Sequence, residues 1–314
     1  MDDNQQRETA QSETQAEAKP PYRAGYVAII GRPNVGKSTL LNQLLRERLA
    51  AVSPKAQTTR HKILGILSGP SYQALFLDTP GIMRQPSDEL DRRMLKNAQE
   101  AIKDADVVVL LVEPRPPGDV ERSLIEKLSS RPTILAINKV DTVDQAQVQA
   151  TIDQYRVLHE FVEILPISAL YGAGLDRLLE LVVSLLPEGA PFYPEDQLTD
   201  RPERFFVSEL IREQIYHLYG DEIPYDTAVE IEEFREARPE EGRNKDFIRA
   251  VIYVNRDSQK RILIGAGGRA IKRLGEVARK QIEGFLGRPV YLELWVKVRK
   301  KWRKNPQLLK NLGY

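Results

Sequence analysis

The stretch GRPNVGKST, Gly31 to Thr39, constrains this chain more than any other. It follows the apolar run YVAII and opens a helical pattern, and in that strand, turn and helix setting the spacing G-x-x-x-x-G-K-[ST] builds a phosphate cradle. The loop of Gly31, Arg32, Pro33, Asn34, Val35, Gly36, Lys37, Ser38 and Thr39 is expected to wrap phosphates with its backbone N–H groups and the helix N-terminus. Lys37 then reaches the β and γ phosphates, and Ser38 offers its hydroxyl to Mg²⁺.

Downstream, YVAIIG, ALFLDTPG, DVVVLLVE, TILAINKVD and EILPISAL are short runs rich in Val, Ile and Leu, separated by longer amphipathic stretches. Strands alternating with helices predict an α/β domain, a mostly parallel sheet with helices on both faces. Ligands of such sheets lie at the carboxyl ends of the strands, where three further motifs fall. Asp78, Thr79, Pro80 and Gly81 end the second run; the Asp78 carboxylate can hold Mg²⁺ through water, and Gly81 lets the backbone approach the γ-phosphate. Asn138, Lys139 and Asp141 close the fourth run. Asp141 can accept from N1–H and the exocyclic amine of guanine, a pair of donors adenine lacks, so ATP would leave this carboxylate unpaired. Ser168, Ala169 and Leu170 follow the fifth run and can present backbone groups to the guanine O6.

With these four motifs in order, the chain resembles the translation-factor-related small GTPases. Gln57-Thr58-Thr59-Arg60-His61 looks like that group's switch I, and the resemblance makes Thr59 the second side-chain ligand of Mg²⁺ after Ser38, with Lys37, Thr59, Gly81 and Asn34 as the catalytic set. Ile82 stands where Ras-like proteins carry the glutamine that positions the attacking water. In relatives with a hydrophobic residue there, the resemblance implies, K⁺ contacted by the phosphate-loop asparagine replaces an arginine finger; Asn34 holds that position, or else braces the loop. Turnover without such help is expected to be slow, roughly 10⁻⁴ s⁻¹.

At 314 residues with 41% hydrophobic content, the chain has length for about two domains. The absence of cysteine excludes disulfides, a thiolate nucleophile and Cys-ligated zinc, and the three histidines are scattered, so a metal is expected to arrive with the substrate. No apolar run approaches the roughly 20 residues of a membrane span and no signal-peptide pattern is legible, which predicts a cytoplasmic protein. Residues 1–22 are polar and acidic and read as a disordered tail. The first domain is expected over 23–188, a proline-rich linker over 189–202, and a second domain over 203–314.

The net charge of +1 hides a division. Residues 243–314 hold 19 Lys/Arg against 5 Asp/Glu, a net +14, and residues 1–242 carry −13. That asymmetry points to a polyanion partner for the C-terminal part. There, Gly265-Ala266-Gly267-Gly268 fits two phosphate loops: the dinucleotide turn, through Gly265, Gly267 and Ala270, and the G-x-x-G clamp for single-stranded RNA. A dinucleotide turn follows a strand and needs an acid ending the next strand. Asp257 to Ile264 instead reads as a helix capped by Asp257 or Ser258, and Glu283 falls inside the following helix. A helix, G-x-x-G and a second helix match the KH domain, and Arg269, Lys272 and Arg273 follow the clamp as candidate RNA contacts, with Arg279 and Lys280 beyond. The order helix, strand, strand, helix, helix, strand resembles a type II, α+β KH arrangement. In the last strand Leu292, Leu294, Val296 and Val298 alternate as the core face. Trp295 and Trp302 are candidates either for base stacking or for packing, and the run RKKWRK is expected to meet phosphate backbone.

A P-loop GTPase domain followed by a type II KH domain, with QTTRH, NKVD, the PYD segment from Pro224 to Asp226 and LELWVKV, resembles the Era family of bacterial GTPases from about residue 24 to 314. The resemblance implies binding of GTP and GDP with Mg²⁺, GTP hydrolysis, and a KH domain that holds the 3′ region of 16S rRNA in a monomer assisting 30S ribosomal subunit maturation. It also implies peripheral contact with the inner face of the cell membrane. The alternative is a nucleotide-gated protein whose basic half docks on a membrane or a protein.

Overall fold

The computed structural model describes residues 21–82, 86–128 and 131–314. Its first half is a six-stranded sheet built from β1 (Arg23–Ile30), β2 (Ile63–Gly69), β3 (Tyr72–Asp78), β4 (Val107–Val112), β5 (Thr133–Ile137) and β6 (Glu163–Pro166), in the order β2-β3-β1-β4-β5-β6. All neighbours pair in parallel except β2 and β3, which form an antiparallel hairpin. Strands as apolar as VVVLLV in β4 need cover on both faces. One face carries α1 (Lys37–Leu45) and α5 (Leu175–Leu185), which pack with Val27 and Ile29 of β1. The other carries α2 (Glu89–Asp104), α3 (Asp119–Ile125) and α4 (Gln145–Arg156), against Ala28 and Ile30 of the same strand.

Strand β2 was not among the five runs expected from sequence. Its open edge is covered where Ile66 N donates to Leu198 O, and the buried Gln73 of β3 binds the backbone of Phe192 and Tyr193. The proline-rich segment is thereby fastened along the sheet, which protects an edge strand from pairing with other chains. The acidic tail lies outside the described residues as far as residue 20; Tyr22 donates its hydroxyl to Tyr72 O at 3.0 Å.

The second half contains α6 (Glu203–Leu218), β7 (Ala228–Arg235), β8 (Asp246–Val254), α7 (Asp257–Ile264), α8 (Arg269–Leu286), β9 (Val290–Val298) and α9 (Pro306–Asn311). Its sheet runs β7-β8-β9, antiparallel then parallel. Helices α6, α7 and α8 cover one face through Ile211, Leu263, Leu274 and Ile282, with Leu292, Leu294, Val296 and Val298 of β9 on that face as the alternation required. Helix α7 begins at Asp257 with Arg256 as its cap, and Gln259 Oε1, not Asp257 or Ser258, accepts from the N–H groups of Asn255 and Arg256.

The two halves share a fourth core, in which Leu90 and Met94 of α2 pack with Val251, Tyr253, Trp302 and Leu309. Trp302 is completely buried and donates Nε1–H to Asp226 O, so of its two expected roles it takes packing. Arg303 is likewise removed from any phosphate contact: it is ion-paired with Asp88 and Asp91 of the first half. The cations of RKKWRK therefore divide, Arg303 facing inward while Lys300, Lys301 and Lys304 remain exposed.

Candidate functional site

The loops after β1, β3 and β5 meet around a cleft of about 540 Å³, lined by Asn34, Lys37, Thr59, Gly81 and Lys139 among others. The loop between β1 and α1 can wind so tightly because Gly36 takes φ +102°, and a Cβ there would lie 2.3 Å from Asn138 Nδ2. Gly81 must also lack a side chain, since its Cβ would lie 2.5 Å from Pro33 N. Lys37 is buried; its ammonium donates to the Gly31 and Arg32 carbonyls at 3.3 and 2.8 Å, and burial pulls it down to about 8 despite the opposing pull of Asp78. Arg32 sits 3.7 Å from Glu121, Val35 is core, and Thr39 is partly exposed on α1.

The three expected Mg²⁺ ligands converge. Ser38 Oγ is 2.7 Å from both Thr59 Oγ1 and Asp78 Oδ2, and Thr59 Oγ1 is 3.5 Å from Asp78 Oδ2. Burial pushes the Asp78 carboxyl up to about 6 against the pull of Lys37, Ser38 and Thr59, and its Oδ1 is buried without a hydrogen-bond partner. One carboxylate with a spare buried oxygen beside two hydroxyls is a hard-oxygen donor set of the kind magnesium takes when phosphates and waters supply the rest. Thr79 Oγ1 donates to Ile29 O, so it fixes the turn, and Pro80 completes it. Ile82 is buried in the core under α2 and donates its N–H to Gly31 O, which keeps its side chain out of the cleft.

On the base side, Asn138 acts as a clasp. Its Nδ2 donates to Val35 O at 2.7 Å and its Oδ1 accepts from Ala169 N at 2.8 Å, joining the phosphate loop to the SAL turn from a buried position. Lys139, in the left-handed region at φ +65°, reaches Asn34 O and Glu113. Asp141 is exposed and accepts from Ser168 Oγ at 2.5 Å, which orients its carboxylate at the rim; Leu170 is an exposed apolar neighbour. Asn34 Nδ2 donates to Pro54 O at 2.8 Å, linking the phosphate loop to the segment before Thr59.

That segment is fastened to α6. Lys55 donates to Tyr216 O and Tyr219 O, Tyr216 donates its hydroxyl to Gln57 O, Arg212 donates to Thr58 O, and Glu213 accepts from Val52 N and Arg48. Glu209 and Arg212 form a buried pair; burial opposes ionisation of Glu209, yet Arg212 holds its carboxyl below the usual range. His61 is enclosed by Phe205 and Tyr314, and burial holds it down to about 4, with Arg212, Arg201 and Arg60 adding to the shift and Glu209 opposing it. None of these α6 residues was singled out from sequence. The available signal was Glu209, Arg212, Glu213 and Tyr216, polar groups three to four apart on one side of α6.

In the second half, Gly265, Ala266, Gly267 and Gly268 link α7 to α8, with Gly265, Gly267 and Gly268 at positive φ. Ala266 and Gly267 are exposed, and a Cβ on Gly267 or Gly268 would meet nothing within 4 Å, so the backbone is open to a close ligand. Arg269, Lys272 and Arg273 are exposed along the first turn and a half of α8, and Ile262, 53% exposed on α7, faces solvent near the loop. An exposed isoleucine beside a bare backbone loop and three cations suits an unstacked base with its phosphates.

A model described as "50S ribosome-binding GTPase" matches residues 26–139, and one described as "KH domain" matches residues 222–303. GTPase Era of Geobacter metallireducens is 46% identical over 297 residues, covering 94% of this chain and 98% of that protein. This chain belongs to the Era family of GTPases. Era structures also share its architecture across both halves. Aquifex aeolicus Era bound to GDP and AlF4⁻ is 40% identical with a TM-score of 0.88. Era in complex with MgGDPNP and nucleotides 1506–1542 of 16S ribosomal RNA is 40% identical with a TM-score of 0.89. Each covers 93% of this chain and 99% of the other. The P-loop GTPase and type II KH expectation is thus met in fold and family.

Proposed function

We propose that this protein is a GTP-hydrolysing switch that binds the single-stranded 3′ region of 16S rRNA through its KH half and assists 30S subunit biogenesis. The observation that carries the reading is the likeness over both halves to the Era bound to MgGDPNP and 16S rRNA nucleotides. Lys37 and the loop Gly31 to Thr39 hold the phosphates, Asp141 with the Ser168, Ala169 and Leu170 turn reads guanine, and Asn138 clasps the two loops together. Ser38, Thr59 and Asp78 are the residues that would hold Mg²⁺, Asp78 through water, and the ion would supply positive charge to the β and γ oxygens. Gly81 donates its N–H toward the γ-phosphate. With Ile82 buried, the chain has no side chain at the glutamine position to orient the attacking water, so intrinsic turnover is slow, roughly 10⁻⁴ s⁻¹. Asn34, at the meeting of the phosphate loop and Pro54, is the residue that would hold K⁺, which would supply positive charge in place of an arginine finger. The protein acts as a cytoplasmic monomer with peripheral contact at the inner membrane.

The test is the affinity of a labelled RNA matching the 3′ end of 16S rRNA, and of a scrambled control, with GDP and with a nonhydrolysable GTP analogue. A preference for the matched RNA in the GTP state is expected. Sequence-blind binding indifferent to nucleotide would remove the rRNA reading and turn attention to a membrane or protein partner for the basic half.

A further inference from the structure

Thr59 points into the nucleotide cleft, and the next residue points away from it into the KH half. Arg60 is 1% exposed. Its Nη1 donates to Thr227 O at 2.7 Å, and its Nη2 donates to Pro224 O and Tyr225 O, both at 2.9 Å, and to the Tyr216 hydroxyl at 3.0 Å. Among the described residues no carboxylate pairs with it; four fixed oxygens on Nη1 and Nη2, and the Tyr216 ring 5.9 Å away, take the place of most of its water shell, while Nε is buried without a partner. A buried charge satisfied this way is costly to dislodge, because leaving it half-paired in the interior forfeits the compensation for its desolvation.

The residues before it are held from the same side. Arg212 fixes the Thr58 carbonyl, and the Tyr216 hydroxyl fixes that of Gln57, itself at φ +61°. Thr59 therefore cannot leave Ser38 by much without drawing Arg60 out of its carbonyl cage. We infer that Arg60 is a positioning residue through which the KH half sets Thr59, so that discrimination between GTP and GDP is a property of both halves together. The inference rests on the GTPase reading above. It separates the nucleotides because Thr59 is needed where the γ-phosphate and its ion sit, whereas the phosphate and base loops that would hold GDP make no hydrogen bond to Arg60. By linkage, a KH half shifted relative to the GTPase half alters GTP affinity, and GTP alters the KH half by the same factor.

The experiment uses the full chain as wild type, Arg60→Met, Arg60→Lys and Tyr216→Phe, and measures Kd for fluorescent GDP, a nonhydrolysable GTP analogue and an ATP analogue with Mg²⁺, followed by single-turnover hydrolysis. Arg60→Met is expected to weaken the GTP analogue about tenfold or more, inside the roughly 5- to 150-fold range of such couplings, while GDP changes less than about twofold. Hydrolysis at saturating GTP falls with it. Arg60→Lys, with one point charge for three carbonyls, falls between. Tyr216→Phe keeps the ring and removes only the hydroxyl shared by Arg60 and Gln57, and shifts the ratio in the same direction by less. Equal losses for both nucleotides, or no change for either, overturn the inference and leave Arg60 a packing residue. If Arg60→Met loses GDP binding by failing to fold, the ratio in Tyr216→Phe decides by the same criterion. A wild type that does not prefer the GTP analogue to the ATP analogue would instead overturn the GTPase reading.

Discussion

Arg303 Nε lies 2.6 Å from Asp88 Oδ2, so the residue that caps α2 is also an anchor for the chain beyond the KH sheet. The same guanidinium reaches Asp91 Oδ1 at 3.1 Å and Tyr225 O at 2.5 Å. With Arg60 and Arg212 on the other side, both segments flanking the nucleotide cleft are fastened to the KH half: the one ending in His61 and the helix that follows Ile82. All three side chains are nearly buried, which sets their energetic weight.

Arg303→Ala would leave Asp88 and Asp91 facing an apolar core without their cation. Removing one partner of a buried pair costs about 3 kcal/mol or more. The expected outcome is a loss of that size in urea denaturation and exposure of the Leu90, Met94 and Trp302 core, read by tryptophan fluorescence. A change under about 1 kcal/mol, the worth of an exposed pair, would mean that the anchor is dispensable.

Asn138→Ala tests the clasp. It leaves the Val35 carbonyl and Ala169 N–H buried and unpaired, roughly 1–3 kcal/mol for such groups, and frees the phosphate loop from the base turn. GDP and the GTP analogue should weaken together, about tenfold or more, in contrast to the selective loss expected of Arg60→Met. Titration of fluorescent GDP decides it; unchanged affinity would show that the loops hold their spacing alone.

The RNA clamp is tested by Ala266→Asp with Gly267→Asp. Both positions are exposed and Gly267 has open space around its missing Cβ; its φ of +59° strains any side chain, but aspartate is one of the residues that enter the left-handed region most readily, so the fold should tolerate the pair at a small cost while two carboxylates repel the phosphates. RNA affinity should collapse with GDP binding unaltered. In the wild type, about four cations on single-stranded RNA give a slope of log K against log salt of about −3. A slope near zero, or full RNA binding by the double variant, would remove the clamp.

The phosphate loop, DTPG, NKVD and SAL were legible because each carries its chemistry in adjacent residues, and Gly265 to Gly268 because its neighbours are helices. What could not be read is pairing across the chain. Glu209, Arg212 and Glu213 look like the solvated side of an amphipathic α6, yet all three are buried against the segment before His61. RKKWRK looks like a phosphate contact, yet Arg303 is held by carboxylates more than 200 residues away in sequence. Periodicity reports which positions are polar; whether water, RNA or another part of the chain satisfies them depends on tertiary contacts that no local pattern contains. The hairpin strand β2 escaped for a similar reason, since ILGILSG is short and its cover, Leu198, comes from a segment that reads as irregular.

His61 makes the junction sensitive to acid. Its imidazole is held down to about 4 by burial between Phe205 and Tyr314, with Arg212, Arg201 and Arg60 nearby and Glu209 opposing, against about 6.5 for an unfolded histidine. A depressed folded value means that the unfolded chain binds the extra proton first, so the folded state loses stability as pH falls from about 6.5 to about 4 and is unaffected above that window. The shift corresponds to roughly 3 kcal/mol. Asp78, raised to about 6, works in the opposite direction over part of the same range, so total stability is a poor readout. The difference between wild type and His61→Phe isolates the histidine, because phenylalanine keeps the ring contacts and cannot titrate. Wild type should lose about 3 kcal/mol relative to the variant between pH 7 and pH 4, measured by urea unfolding at each pH. Parallel stability curves would mean that His61 becomes charged in place, with the junction opening to admit water.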